Sequence, residues 1–200
     1  MKILNLYAGI GGNRKNWGDE HEITAIENVP EIAKIYADFF PKDVIIIADA
    51  HEYLAEHYMD FDFIWSSPPC PTHSRLRTLH EKKIYPDLKL YEEIIFLKSW
   101  FKGKWIVENV TAYYDALIPP SSVQHRHWIW SNFHIGEFIE HRKLKTGKAP
   151  EERKLLQEEF GFNLDKYTGV DKRKLLRNCV VPEMGQHILK EALKETPKLF

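Results

Sequence analysis

One cysteine in the sequence stands in a setting that favours chemistry. Cys70 lies within Ser66–Pro71, where three prolines restrict the backbone on both sides of the thiol. A rigid loop can aim a thiol at a bound substrate, and a thiolate is a strong nucleophile. A free cysteine is more often a buried core residue, but a stiff loop is an unusual place for a purely structural side chain. The segment therefore predicts a nucleophilic cysteine.

An acidic side chain follows the next predicted strand and completes a catalytic pair. Glu108 begins the segment Glu108–Val110, and by itself it would be interpreted as a helix cap or a solvated carboxylate. Beside a thiolate it fits methylation at carbon 5 of cytosine. In that reaction the thiolate adds to carbon 6, and a glutamic acid bonded to ring nitrogen 3 stabilises the developing charge. The base has to be flipped out of a duplex to reach the pair.

A glycine loop and two carboxylates follow the first three predicted strands. The loop Gly9–Gly12 allows a tight turn and a close approach of a ligand to the backbone. Glu27 is placed to accept from both hydroxyls of a ribose, and Asp49 from the amino group of adenine. Each feature alone is weak, but three at successive strand ends favour a ligand that contains adenosine. Because the glycine spacing is not that of dinucleotide sites, S-adenosylmethionine fits better than NAD.

Alternating strands and helices bring these residues to one edge of a sheet. Five short runs are predicted as strands: Ile3–Tyr7, Glu22–Ile26, Val44–Ile47, Phe61–Trp65 and Trp105–Val107. Helices are predicted after the glycine loop and over 30–39, 50–58, 88–101 and 183–194. This order is typical of an α/β protein with a mostly parallel sheet and helices on both faces. Late in the chain, His127–Trp130 and Phe133–Ile139 are predicted to form an antiparallel strand pair.

Composition indicates one globular domain over residues 1–200. Of the 200 residues, 44% are hydrophobic and 28% are charged, and no apolar run is long enough for a membrane span. We find no export signal, so the two cysteines are expected to be reduced thiols of a cytoplasmic protein. The net charge is −1, so local basic patches would have to attract any nucleic acid. No metal site is expected.

In this order the motifs resemble those of the DNA (cytosine-5)-methyltransferases. The resemblance runs from the glycine loop through Pro68-Pro69-Cys70 and Glu108-Asn109-Val110 to Asn178-Cys179-Val180-Val181-Pro182. It implies a Rossmann-like S-adenosylmethionine-dependent methyltransferase fold, a DNA substrate and a covalent Cys70 adduct, with Glu108 and Arg126 as the other catalytic residues. It implies that the cofactor is bound by Tyr7, Ala8, Gly9, Ile10, Gly11, Gly12, Glu27, Asn28, Asp49, Ala50, Pro68, Asn178 and Val180. The residues that it assigns to nucleic acid are Ser74, Arg75, Arg77, Asn109 and Gln124.

The sequence also departs from the family pattern. Trp128 stands where the arginine motif of the family has a second arginine, which helps to hold the flipped cytosine. The large target-recognition region of family members is reduced to residues 131–177, so recognition is expected to be short and relaxed, or shared with the loop 75–83. Residues 141–178 carry 11 Lys/Arg and 6 Asp/Glu. We expect this segment and the loop to face DNA phosphates.

Three alternatives remain open. Enzymes that methylate an exocyclic amino group have an aromatic residue after Ser-Pro-Pro, whereas here Cys70 takes that position and Glu108 would have no role. One branch of the cytosine-5 family methylates transfer RNA, but the additional motif of that branch is not found. A catalytically silent nucleic-acid-binding homologue would account for the lost arginine, though not for the retained cysteine and glutamate.

The small size suggests a bacterial, phage or mobile-element protein, for which a cognate restriction enzyme is a candidate partner.

Overall fold

The centre of the fold is a sheet whose first five strands run parallel. The structure is a computed structural model that describes residues 1–75, 85–139 and 149–194. Within these residues seven strands pair in the order β3-β2-β1-β4-β5-β7-β6, and β7 runs antiparallel to both of its neighbours. The strands are β1 (Lys2–Leu6), β2 (Glu22–Ile26), β3 (Val44–Ile46), β4 (Phe63–Ser66), β5 (Lys104–Val110), β6 (Ser122–Gln124) and β7 (His127–Ser131). The carboxyl ends of β1 to β5 therefore meet along one edge.

Local sequence signals explain where several helices begin. The helices are α1 (Pro30–Phe39), α2 (Ala50–His57), α3 (Lys89–Trp100), α4 (Ala149–Phe160), α5 (Lys172–Arg177) and α6 (Pro182–Leu193). Pro30 and Pro182 occupy the first turns of α1 and α6, where a missing N–H leaves no hydrogen bond unmade. Asp49 and Asp171 precede α2 and α5, and their carboxylates accept from backbone N–H groups of the first turn. These signals fix how the chain leaves the strands that precede the helices.

Apolar layers cover both faces of the sheet. On one face α6 packs over Trp65, Ile106 and Ile129. On the other face α2 and α3 pack over Val107 and Trp130. Neighbours along a strand thus point to opposite buried layers, as they do in a parallel sheet covered on both sides. The predicted α/β fold is confirmed.

The antiparallel pair is present and the predicted strand His127–Trp130 is confirmed as β7, but its predicted partner is wrong. β6 pairs with β7 through a turn at His125, which has a positive φ of 55°. Residues 133–139 form no strand. The Gln124 side chain instead hydrogen-bonds the backbone of this segment: Oε1 accepts from the N–H of Phe138 at 2.8 Å, and Nε2 donates to the carbonyl oxygen of Gly136 at 3.1 Å. A side-chain amide therefore replaces the backbone partner that a strand would need.

The helix predicted after the glycine loop is also wrong. Only a 3₁₀ turn, Asn13–Asn16, follows the loop. The backbone of Gly185 in α6 packs against Asn13 so closely that a Cβ there would overlap its backbone. Trp17 adds a hydrogen bond from Nε1 to the carbonyl oxygen of Gly185 at 3.1 Å. Close packing of α6 thus occupies the space that a longer helix would fill.

Residues 149–177 of the reduced recognition segment pack on the half of the sheet away from β5 and β7, whereas Phe133, Ile135 and Phe138 pack against β5 and β7. Leu156 and Phe160 of α4 join a cluster with Ala25 of β2 and with Ile35 and Tyr36 of α1. Many cations of this segment lie in ion pairs: Arg153–Asp165, Lys154–Glu158, Lys166–Asp38, Arg173–Glu152 and Arg177–Glu152. Ion pairing reduces the positive charge that α4 and α5 offer to phosphates.

Some predicted features lie outside the described residues. These are Arg77 with the rest of the loop 76–84, and residues 140–148 of the basic segment. Within the described ranges, no helix combines the length and the apolar character needed to cross a membrane. The same ranges contain no group of three or more His, Cys, Asp or Glu side chains suited to a metal ion.

Candidate active site

The proline loop after β4 is held from two sides. The carbonyl oxygen of Cys70 accepts hydrogen bonds from the backbone N–H groups of His73 at 2.9 Å and Ser74 at 3.0 Å. Asn109 of β5 donates from Nδ2 to the carbonyl oxygen of buried Pro68 at 2.8 Å. With the fixed φ of the prolines, these bonds tie the loop to the neighbouring strand. The partly exposed Cys70 thiol is therefore presented from a rigid loop.

The two thiols of the chain differ in their surroundings. Burial raises the pKa of the Cys70 thiol above its usual 9.0, and the charge of Glu108 raises it further. Burial raises the pKa of Cys179 to about 12, and its Sγ donates to the carbonyl oxygen of Leu175 at 3.4 Å. At neutral pH both side chains are thiols, and Cys70 is the one that sits beside an acid–base group.

Glu108 is buried within β5, and both of its carboxylate oxygens are bonded. Ser67 donates from Oγ to Oε2 at 2.9 Å, and the Trp65 indole N–H donates to that Oγ at 2.8 Å. Nδ1 of His127 lies 2.5 Å from Oε1. Glu108 stands opposite Ile129 in the β5–β7 ladder, so His127, two residues away, shares its face of the sheet. Sequence reasoning missed Ser67 and His127, because a strand register is needed to bring them to Glu108.

Three residues assigned to catalysis or to nucleic acid lie at the surface near this edge. Arg126 is exposed, and its guanidinium makes no hydrogen bond with any residue in the described ranges. Its carbonyl oxygen accepts from the N–H of Thr111 at 2.7 Å. Arg75 is exposed, with Nε 3.4 Å from the carbonyl oxygen of Ala112, and Ser74 forms a backbone bridge with Ala112. The structure thus brings the segments after β4 and β5 together.

The two buried amides assigned to nucleic acid are engaged within the protein. Asn109 is 2% exposed and Gln124 is 3% exposed. Asn109 holds the proline loop. Gln124 donates to Ser122 Oγ at 2.6 Å and bonds the backbone of residues 133–139. Both side chains therefore position segments around the site.

Glu27 closes the glycine loop onto the end of β2. Its Oε2 accepts from the backbone N–H of Gly9 at 3.0 Å, and its Oε1 accepts from that of Val29 at 2.9 Å. Gly9 has a φ of +56°, and no atom lies within 4 Å of the position that a Cβ would take. The loop therefore faces open space beside a buried carboxylate, which leaves room for a ligand.

Asp49 combines a helix cap with an uncommitted oxygen. Its Oδ1 accepts from the backbone N–H groups of His51 at 2.9 Å and Glu52 at 3.1 Å. Its Oδ2 makes no hydrogen bond among the described residues. Asp49 and Asn28 are both exposed, and Ala50 is buried beneath them. A free carboxylate oxygen at this edge can accept from an amino group.

A buried carboxylate that sequence reasoning missed lies behind the glycine loop. Glu93 of α3 is fully buried and accepts from the Tyr7 hydroxyl at 2.5 Å and the Ser66 hydroxyl at 2.5 Å, with His51 Nδ1 at 3.1 Å. Burial, with the Glu93 charge, raises the pKa of Tyr7, and the hydrogen bond to Glu93 raises the pKa of His51. Tyr7 has a positive φ of 55°. Glu93 thus ties the ends of β1 and β4 to α2.

The segment 178–181 returns beside the glycine loop. A Cβ at Gly12 would lie 2.6 Å from both the Cβ of Cys179 and the carbonyl oxygen of Val180. Only glycine permits so close an approach. Val180 is buried and Asn178 is exposed. The remaining loop residues assigned to the cofactor are all buried: Ala8, Ile10 and Gly11.

Comparison with known sequences gives a family match over more than half of the chain. The family model for C-5 cytosine-specific DNA methylases matches residues 1–116. These residues include the glycine loop, the proline loop and the glutamate of β5. A search of the curated proteins finds no match.

The chain is similar to solved structures of methyltransferases, one of which shares the fold over almost its whole length. The methyltransferase EhMeth of Entamoeba histolytica is 12% identical, with a TM-score of 0.58 over 98% of this chain and 99% of that chain. A DNMT2 mutant of Spodoptera frugiperda is 24% identical, with a TM-score of 0.42 over 58% of this chain and 37% of that one. A putative DNA modification methyltransferase encoded within an E. coli prophage is 19% identical, with a TM-score of 0.40 over 57% and 33%. The chain thus matches only about a third of the length of the last two proteins.

Proposed function

This chain belongs to the C-5 cytosine-specific DNA methylase family, and we propose that it methylates carbon 5 of cytosine in DNA through a covalent adduct with Cys70. The methyl donor of this family is S-adenosylmethionine. The observation that carries the proposal is the pairing of Cys70 and Glu108. Cys70 lies on the loop after β4, and Glu108 lies within the adjacent parallel strand β5, where Ser67 of that loop donates to its carboxylate. Beside burial, the charge of Glu108 raises the pKa of the thiol.

The proton balance of this pair fits the reaction. Burial and, after it, the charge of Glu108 raise the pKa of the Cys70 thiol, so the thiol holds its proton, whereas the reaction requires a thiolate and a carboxylic acid. Transfer of one proton from Cys70 to Glu108, directly or through a water, produces both forms at once. The Sγ then adds to carbon 6, and the Glu108 acid donates a hydrogen bond to ring nitrogen 3.

The remaining steps return the pair to its starting state. When bound, S-adenosylmethionine would supply an electrophilic methyl group: carbon 5 would form its new bond as the sulfonium S–CH₃ bond breaks, with S-adenosylhomocysteine as the leaving group. Loss of the carbon-5 proton to solvent then allows the Sγ–carbon 6 bond to break, which restores the ring double bond and the Cys70 thiolate. Return of the proton from Glu108 to Cys70 restores the starting thiol and carboxylate. Ser67 and His127 act as positioning residues, since their bonds fix the Glu108 carboxylate throughout the cycle.

The cofactor edge fits this donor. Both Glu27 oxygens already accept from backbone N–H groups, but each retains a second lone pair for a ribose hydroxyl. The free Oδ2 of Asp49 suits the adenine amino group. The open space beside Gly9 adjoins the Glu27 carboxylate, whose Oε2 accepts from the Gly9 N–H, and Tyr7 lies two residues before Gly9 in the sequence.

Covalent trapping tests the proposal. A single-stranded or duplex oligonucleotide that contains 5-fluorocytosine should form a denaturation-resistant complex with the protein in the presence of S-adenosylmethionine, because fluorine does not leave as a proton does. We expect the adduct to map to Cys70 by peptide mass. Methyl transfer without any trapped complex would contradict the covalent mechanism. Absence of both, in a folded protein that binds the cofactor, would favour the silent binding homologue.

Removal of the Glu27 carboxylate should weaken cofactor binding. A hydrogen bond to a charged group contributes roughly 1.5–3 kcal/mol, so we expect the affinity of Glu27→Ala for S-adenosylmethionine to fall by about one to two orders of magnitude. Calorimetric titration provides the measurement. The matched control is Glu22→Ala, which removes an exposed carboxylate from the start of the same strand. Equal affinities for wild type and a folded Glu27→Ala would refute this placement of the ribose.

A further inference from the structure

A cleft of about 400 Å³ lies at the edge of the sheet that also carries the catalytic pair, and the proposed reaction does not use it. Its described lining residues are Arg75, Ala112, Tyr113, Tyr114, Asp115 and Trp128. The volume is within the range of about 300–1,000 Å³ that is common for small-molecule sites. The backbone bridge between Ser74 and Ala112 joins the segment after Cys70 to the segment after Glu108 at this cleft. A cytosine held by that pair therefore has its neighbouring nucleotide near the opening.

Aromatic rings form the walls of the cleft, and their contacts hold them in place. The ring centroids of Trp128 and Tyr114 are 6.4 Å apart with the planes at 83°, and those of Tyr113 and Tyr114 are 5.2 Å apart at 81°. The Tyr114 hydroxyl bonds His73 Nδ1 at 2.6 Å and lies 3.4 Å from the Tyr91 hydroxyl. Tyr113 is 38% exposed. Rings that are already fixed can stack on a planar ligand at little cost in side-chain entropy.

The charges at the cleft fit a nucleotide. Both Arg75 and Asp115 are exposed. A guanidinium matches the geometry of a phosphate, and a carboxylate accepts from the exocyclic amino group of a base. Trp128 occupies the position of the second arginine of the family motif, so an aromatic surface replaces a cation at this point.

On the basis of the proposed function, we propose that the cleft binds one unpaired nucleobase next to the target cytosine in the same DNA strand, stacked on Trp128 and Tyr113. Base–aromatic stacking tolerates every base because each presents a π-face. Such contacts suit a chain in which α4 and α5 pack on the opposite half of the sheet. A duplex would have to lose a second base from its stack, which costs free energy that an unpaired strand does not require. The protein therefore prefers cytosine in single-stranded or mismatched DNA.

Fluorescence of 2-aminopurine locates the bound base. In one oligonucleotide, 2-aminopurine replaces the single target cytosine. In the others the cytosine is retained, and 2-aminopurine occupies one of the two nearest positions on its 5′ side or on its 3′ side. We expect stacking to change the emission strongly at one flanking position when the protein binds with S-adenosylhomocysteine. A change confined to the target position would overturn the proposal, because the cleft would then be the pocket of the flipped cytosine. Duplex DNA that binds as tightly as the single strand would overturn the stated preference.

Variants assign the stacking to the cleft. Trp128→Leu should weaken single-strand binding about tenfold, whereas Trp100→Leu, at a 63% exposed tryptophan of α3, should not. An abasic residue at the position found by fluorescence should make wild type and Trp128→Leu bind equally. The proposal would be overturned if Trp128→Leu retained its cofactor affinity but lost the same factor of binding affinity on the intact strand and on the abasic strand. If Trp128→Leu fails to fold, the exposed Tyr113→Ala provides the same comparison with the same required outcome.

The two proposals fail separately. Trapping on 5-fluorocytosine depends on Cys70 and needs no stacking, whereas the fluorescence change needs no methyl transfer. Trapping without a flanking signal leaves the methylation mechanism standing and rejects the stacking site. A flanking signal without trapping or methyl transfer rejects the enzymatic proposal and retains a stacking site in a nucleic-acid-binding protein.

Discussion

Cys70→Ala should abolish methyl transfer while cofactor affinity stays close to that of the wild type. The physical reason is that Cys70 supplies the only nucleophile of the proposed pair, and loss of a nucleophile typically lowers turnover by a thousandfold or more. The cofactor-edge bonds of Glu27 and Asp49 do not involve the thiol. Transfer of labelled methyl groups to a cytosine oligonucleotide measures the first effect, and calorimetric titration measures the second.

A small decrease in the turnover of Cys70→Ala would contradict this mechanism. Turnover within about tenfold of wild type corresponds to a barrier change of only ~1.4 kcal/mol, which is too small for removal of a covalent catalyst. Cys70→Ser serves as the companion variant, because it retains a hydroxyl of similar size that is a much weaker nucleophile. It should show neither turnover nor trapping on 5-fluorocytosine.

Glu108→Gln should change two rates in opposite directions. Methyl transfer should fall by about 10²–10³-fold, the cost of losing one donor to a developing charge. Alkylation of Cys70 by iodoacetamide at neutral pH should become faster, because removal of the carboxylate charge lowers the pKa of the thiol. The amide still offers an oxygen and an N–H to Ser67 and His127. Glu56→Gln, at an exposed residue of α2, is the matched control for which neither rate should change.

The pH dependence supplies a further readout of the same variant. A raised thiol pKa means that the thiolate fraction of wild type increases about tenfold per pH unit from pH 7 up to that pKa. The alkylation profile of Glu108→Gln should lie at lower pH than that of wild type. Cys179, with a pKa of about 12, should react more slowly in both proteins. If Glu108→Gln slows both reactions, Glu108 supports the loop structurally and does not act on the thiol.

The sequence was sufficient to predict the parallel sheet, because its signals are local. Apolar runs mark β1, β2, β4 and β5, and Pro30 and Asp49 set the starts of α1 and α2. The edge strand β3 is apolar in sequence, yet Val44 is 57% exposed. Position in the sheet, which composition does not encode, decides how much of such a strand is buried.

The parts of the site that could not be predicted depend on long-range contacts. His127 reaches Glu108 only through the register that the turn at His125 imposes on β7. Glu93 is adjacent to exposed Glu92 in a helix, a pattern that indicates a solvated face, and only the packing of α3 shows that it is buried. The resemblance assigns Gln124 to nucleic acid, whereas its buried side-chain amide bonds the backbone of Gly136 and Phe138. Each of these requires knowledge of the partner before the residue can be interpreted.

The contact of Gly12 with residues 179 and 180 has a consequence for how the protein assembles. Neighbouring contacts join Trp17 to Gly185 and Asn16 to Gln186, across 168 and 170 positions of the chain. During synthesis on a ribosome, β1 and the glycine loop emerge long before residues 179–186. The cofactor edge therefore remains incomplete until that segment has been synthesised. Contacts of such high sequence separation form late and slow the folding reaction. Affinity for the cofactor therefore arises in the last stage of folding. A cofactor that binds only the completed edge stabilises the folded state by mass action.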